Sequence, residues 1–111
     1  MISIIEDVRN SAIAIGEDTL LSSASHQEQI APVSLLSPKV YYGMGVLINN
    51  SWVLQNPLFS GYNALMAYLP SKKIAIAVTT TLGPKSSSST NYSSQIFKSI
   101  GTYLAPDHPP V

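Results

Sequence analysis

The sequence predicts an α+β domain, one antiparallel four-stranded sheet covered by helices. Three observations carry this. Apolar residues recur at helical spacing near both ends of the chain. The middle, from Val40 to Leu82, is built of β-branched and aromatic runs. Those runs are joined by short segments of turn chemistry, which fit antiparallel neighbours rather than crossovers. At 111 residues the chain supports one domain, expected over 1–105, and one modest core.

Ser3 and Glu6 have the spacing of a capping box, which predicts a helix over about 4–15. Ile5, Val8, Ala12 and Ile15 then form one apolar stripe, and Gly16 suits the left-handed position that ends a helix. Ser22 or Ser25 can cap a shorter helix through Ile30, stopped by Pro32. Val40 to Ile48 reads as a strand in which Gly43 and Gly45 share one face of the pleat and leave it open. Asn49-Asn50-Ser51 tolerates positive φ and reverses the chain into a strand over Trp52–Asn56. A second hairpin joins Asn63–Leu69 to Ile74–Leu82 through Pro70-Ser71-Lys72-Lys73, where the lysines stay solvated. Gly83-Pro84 breaks that strand, and the serine run after it reads as a mobile surface loop. A last helix over about 91–105, started by Thr90 or Asn91, is expected to present Tyr92, Ile96, Ile100 and Tyr103 with Phe97 and Leu104. Pro106 ends it, and 106–111 reads as a frayed tail.

Composition excludes several classes of function. Six basic residues balance six acidic ones, so the chain has no electrostatic footprint for a nucleic acid or an anionic membrane surface. No run approaches the ~18 apolar residues of a membrane span, and the N-terminal residues lack the pattern of an export signal. The absence of cysteine excludes disulfides, thiolate metal sites and a cysteine nucleophile, and leaves the compartment open. With 45% hydrophobic and 11% charged residues, some apolar surface is expected to meet another chain or segment.

Motifs for phosphate, dinucleotide, zinc or calcium binding do not occur, and neither Ser-x-x-Lys nor Gly-x-Ser-x-Gly is present. His26 and His108 are expected at the surface, since zinc needs three or four convergent ligands, so no metal or cofactor is predicted. Glu6-Asp7, Glu17-Asp18 and Glu28 read as solvated helix ends. Tyr41, Tyr42, Trp52, Tyr62 and Tyr68 are expected to pack in or beside strands.

In order and spacing, these elements resemble the C-terminal third of the serine β-lactamase and penicillin-binding-protein-like family, the group related to class C β-lactamases. The opening "SIIEDVRNSAIAIGEDTLLSSAS" is similar to the family's capped helix and following segment, "YYGMGVLI" to its Tyr-Gly-x-Gly strand, and "GYNALMAYLPSKKIAIAV" to its aromatic-Pro segment and edge strand. Counting back from Gly61-Tyr62 without a gap puts Gln55-Asn56-Pro57 where the family carries Lys or His, then Ser or Thr, then Gly. The resemblance implies that Gln55, Asn56, Pro57 and Leu58 line one wall of a substrate site, with the Leu58 N–H as an oxyanion-hole donor. Gln55 carries no charge but can donate a hydrogen bond, and Pro57 adds a ring where the family has glycine. The family's nucleophile and base motifs, Ser-x-x-Lys and Tyr-x-Asn, do not occur in this chain, so no catalytic residue is assigned and the chain alone is expected to be inactive.

The resemblance thus implies a C-terminal fragment or truncated homologue of a serine hydrolase acting on amides or esters, with an acyl-peptide or β-lactam-like ligand in the full-length protein. Family members are commonly exported to the cell envelope. The partner would be the missing N-terminal part of the fold or a second copy. Two other readings stand beside it: a non-enzymatic, self-associating α+β module, and a small-molecule binder built around Gly43, Gly45, Gln55 and Tyr62.

Overall fold

The structure, a computed structural model, describes residues 2–111. Helices α1 (Ile5–Gly16) and α2 (Ser23–Ile30) precede strands β1 (Ser34–Ser37), β2 (Val40–Tyr42), β3 (Leu47–Asn49), β4 (Trp52–Gln55), β5 (Leu58–Phe59), β6 (Tyr62–Leu69) and β7 (Ile74–Thr81), and helix α3 (Tyr92–Leu104) follows. All pairings are antiparallel, with β1-β2-β3-β4 in sequence, β4 and β5 both on β6, and β7 also on β6. The class is α+β as expected, but among the described residues the sheet has seven strands rather than four.

The extra strands have local causes. The expected strand Val40–Ile48 is two strands, because Gly43 to Val46 form a turn in which Gly45 takes φ 73° and Gly43 N–H bonds Val46 O at 2.9 Å. The glycines therefore break the strand instead of opening one of its faces. Gly43 also abuts the α2 backbone, where Met44 N–H reaches Gln29 O at 2.8 Å. The β3–β4 turn follows the expectation, with Asn50 and Ser51 both left-handed at φ 46° and 78°.

Helix ends divide between expectation and correction. Ser22 caps α2 by accepting from Ser25 N–H at 3.2 Å, and Asn91 caps α3 by accepting from Ser94 N–H at 3.0 Å. The capping box on Ser3 does not form: Ile4 occupies the cap without a side-chain bond, and the Ser3 hydroxyl turns to Ile4 O at 3.4 Å. Gly16 lies inside α1, and the left-handed residue is Asp18, at φ 64°. A Cβ at Gly16 would overlap the Tyr68 ring, so this glycine serves close helix–sheet approach.

The sheet is packed on both faces. One carries Trp52, Leu54, Leu65, Ala67, Leu69 and Ile76 against Phe97 of α3, with Trp52 and Phe97 edge to face at 5.1 Å and 88°. The other carries Val46, Ile48 and Val53 against Ile15 of α1 and Ile30 of α2. The buried stripe of α3 is Ser93, Phe97 and Gly101, while the expected Tyr103 is 86% exposed and Ile96 and Ile100 are partly exposed. Small residues bracket the one large one because the helix must come close: Pro110 sits where a side chain at residue 101 would project.

Residues 106–111 are docked, not frayed. Asn49 Oδ1 accepts from Val111 N–H at 2.8 Å and its Nδ2 donates to Val111 O at 3.1 Å. Asn50 Nδ2 donates to Pro109 O at 2.8 Å and Trp52 Nε1 to His108 O at 2.8 Å. Lys72, expected to be free in solvent, meets Asp107 Oδ1 at 2.5 Å and holds that carboxyl below its usual range. A proline-rich segment cannot satisfy its own carbonyls, so the hairpin's side-chain donors do so.

Tyr68 ties α1 to β6. It is 1% exposed and its hydroxyl donates to Glu17 Oε1. Burial first, then the hydrogen bond and charge of Glu17, push the phenol up to about 12 from 10.0. The folded chain thus keeps this proton where the unfolded chain releases it. The stability it contributes is complete below pH 10 and is lost as pH rises from 10 towards about 12. Urea midpoints measured across that interval should fall more steeply for the wild-type chain than for Tyr68→Phe.

Candidate functional site

β4 and β5 are two parts of one line of chain. Gln55 stands opposite Met66 and Leu58 opposite Asn63, so the register is unbroken and Asn56 and Pro57 fall opposite Leu65 and Ala64. Ala64 N–H still bonds Pro57 O at 3.1 Å. Pro57 has no N–H to return, and the strand is interrupted there.

The missing donor is supplied from α3. Asn91 Nδ2 lies 3.3 Å from Ala64 O, the acceptor Pro57 leaves vacant, and also 3.1 Å from Asn56 O and 3.2 Å from Pro57 O. The same side chain caps α3 through its Oδ1. Beside it, Asn63, 2% exposed, accepts from Thr80 Oγ1 at 2.6 Å and from Tyr92 N–H at 3.0 Å, and Ser93 Oγ donates to Asn63 O at 3.2 Å. Sequence reasoning saw Asn91 only as a helix start and missed Asn63. The signal for Asn91 was a proline inside a strand, which obliges some other group to satisfy the facing carbonyl.

The four sequence-predicted residues are contiguous on one edge, but their side chains do not converge. Gln55 faces the α1 side among Ala12, Ile15, Val46, Val53 and Met66, where its Nε2 donates to Gly45 O. Asn56 lines a cavity of about 240 Å³ on the α3 side with Leu54, Leu65, Ser94, Phe97 and Lys98. Pro57 is exposed, and Leu58 is 40% exposed. β3 pairs with β4 only as far as Leu54, so among the described residues the edge from Asn56 onward has no strand beside it. Because Pro57 turns its carbonyl to β6, alternation points the Leu58 N–H the other way, along that open edge.

The pocket expected from Gly43, Gly45, Gln55 and Tyr62 does not assemble. Gln55 reaches Gly45, but Tyr62 is 64% exposed at the far end of β6 from Met66, the residue opposite Gln55. His26 Nδ1 lies 4.0 Å from Asp18 Oδ1, and His108 is held in the docked tail. Among the described residues no three His, Asp or Glu side chains gather to hold a metal ion, and no helix is long and apolar enough to cross a membrane.

The antiparallel sheet thus carries α1 on one face and α3 on the other, with one strand interrupted at Pro57. The chain is similar to the crystal structure of a penicillin binding protein from Bacillus halodurans, with a TM-score of 0.68 over 89% of this chain at 20% identity. It spans 30% of the length of that protein. Comparisons with family models and with curated protein sequences give no match.

Proposed function

We propose that this chain is the C-terminal sheet portion of a serine hydrolase of the penicillin-binding or β-lactamase type, and that Gln55–Leu58 is its substrate-facing wall. The observation that carries this is the fold likeness over 89% of the chain. The open edge supports the roles. The Leu58 N–H is a backbone donor free to meet an acyl oxygen, the kind of preorganised dipole that stabilises developing negative charge. Asn91 holds that edge in place from the α3 side. Gln55 offers an amide and no proton transfer at neutral pH.

Such a wall binds and polarises an acyl group but forms no acyl-enzyme, because the chain has neither Ser-x-x-Lys nor Tyr-x-Asn. In the full-length protein, a serine outside these residues would attack the amide or ester carbonyl held against the edge. The isolated chain is therefore expected to remain unlabelled by a fluorescent penicillin. In amide NMR spectra, a millimolar acyl-D-Ala-D-Ala peptide is expected to shift Leu58 and its neighbours first. Stoichiometric covalent labelling of one serine would overturn the absence of acylation. Shifts confined to other elements would overturn the assignment of the wall.

A further inference from the structure

Alternation along the line from β4 to β5 puts Leu54 and Asn56 on the α3 face of the sheet, where both enter one recess of about 240 Å³. Its walls come from β2, β3, β4, β6, α3 and the docked tail. The floor is apolar. Leu54, Leu65 and Phe97 are 4%, 1% and 2% exposed, so the chain's own side chains enclose this floor and it is not a face left uncovered. Val111 closes one end, pinned through both backbone groups to Asn49. The mouth is polar: Asn56 and Lys98 are exposed, and Ser94, one helical turn before Lys98, is half-buried. The Ser94 hydroxyl oxygen is itself buried and has no hydrogen-bond partner among the described residues. Lys98 has no carboxylate within 4.0 Å among them. A buried hydroxyl without a partner and a cation without a counter-ion, beside an apolar recess, are groups that a ligand from outside would satisfy.

We propose that this recess binds a small monocarboxylate with an apolar body, its ring or short chain against Leu65 and Phe97 and its carboxylate at the mouth beside Lys98, Ser94 and Asn56. Size, sign and donors select that class. An apolar cavity of about 150 Å³ holds a benzene ring, so a recess of about 240 Å³ takes a ring with a carboxylate and excludes most drug-sized molecules. The lining contains Lys98 and neither Asp nor Glu, so it attracts an anion and repels an amine. The Lys98 ammonium, the Ser94 hydroxyl and the Asn56 amide all donate, and hydrogen bonds from such donors to a carboxylate are charge-assisted. An uncharged apolar guest would leave the Ser94 hydroxyl without a partner. The recess lies across the sheet from the Gln55 side chain, and binding there does not depend on the substrate wall proposed above.

Benzoate is the probe. Titrated into the chain and followed by amide NMR, it should shift Ser94, Phe97 and Lys98 with a Kd of about a millimolar, the strength usual for so small a ligand. Benzyl alcohol, with the same ring and no charge, should bind about tenfold more weakly, and benzylammonium should not bind. Lys98 is exposed, so Lys98→Gln should keep the circular dichroism of the wild-type chain. It should weaken benzoate about tenfold and leave benzyl alcohol unchanged. Equal affinity for benzoate and benzyl alcohol, or unchanged benzoate affinity in Lys98→Gln, would overturn the assignment of a carboxylate. Shifts that avoid α3, or no shifts at benzoate concentrations well above millimolar, would overturn the site itself.

Discussion

Trp52→Ala is expected to destabilise the chain by about 3–5 kcal/mol, as removal of a fully buried aromatic ring does. A domain of this size has only ~5–15 kcal/mol in all, so the variant should be largely unfolded at moderate urea concentrations where the wild-type chain is folded. Trp52 is 0% exposed, meets Phe97 edge to face, and donates to His108 O at 2.8 Å. One side chain therefore joins β4, α3 and the docked tail. Trp52→Phe separates its two contributions. It keeps most of the apolar contact, loses the hydrogen bond and part of the ring volume, and should cost about 1–2 kcal/mol. Urea unfolding followed by circular dichroism distinguishes the two. Equal losses for Ala and Phe would show that the indole hydrogen bond, not the packing, dominates.

Asn91→Ala should cost about 2–3 kcal/mol, which combines a lost helix cap with carbonyls left short of a donor. The carbonyls are those of Asn56, Pro57 and Ala64, so the loss falls on the candidate site as well as on α3. Asn91→Asp decides which part matters. Aspartate is as good a cap as asparagine, so if capping were the whole role the variant would match the wild-type chain. If Asn91 acts as a clamp, its replacement turns a carboxylate oxygen onto three carbonyl oxygens and should be at least as harmful as alanine. Hydrogen exchange at Ala64 and Leu58 gives a local reading, expected to quicken in both variants.

What the sequence made legible was local. Asn50 takes a left-handed φ that its side chain tolerates and Pro70 pre-sets its own φ, so both hairpins form where expected, although Lys73 is left-handed at φ 53° without such a preference. Ser22 and Asn91 cap helices because a short polar side chain at that point has few better partners. Features set by distant contacts were not legible. α3 buries Ser93 and Gly101 rather than its bulky apolar residues, because the closeness of the sheet, not hydrophobicity, selects that face. The two-residue strand β5 exists only through its register with β6, and Asn49, Asn50 and Trp52 hold a tail about 60 residues away. At the candidate site, the end of a strand near Gln55 could be inferred from the sequence. The opposed directions of Gln55 and Asn56 and the bridge from Asn91 required the folded sheet.

The docked tail has a consequence for how the sequence can drift. Its seat reads peptide carbonyls at His108 and Pro109, and both backbone groups of Val111, rather than the side chains that hang from them. Substitutions at His108, Pro109 and Val111 can therefore accumulate at little cost, while Asn49, Asn50 and Trp52 stay constrained, as do Asp107, paired with Lys72, and Pro110, buried against Gly101. Two diverged copies of such a chain could differ at those three positions and still close in the same way.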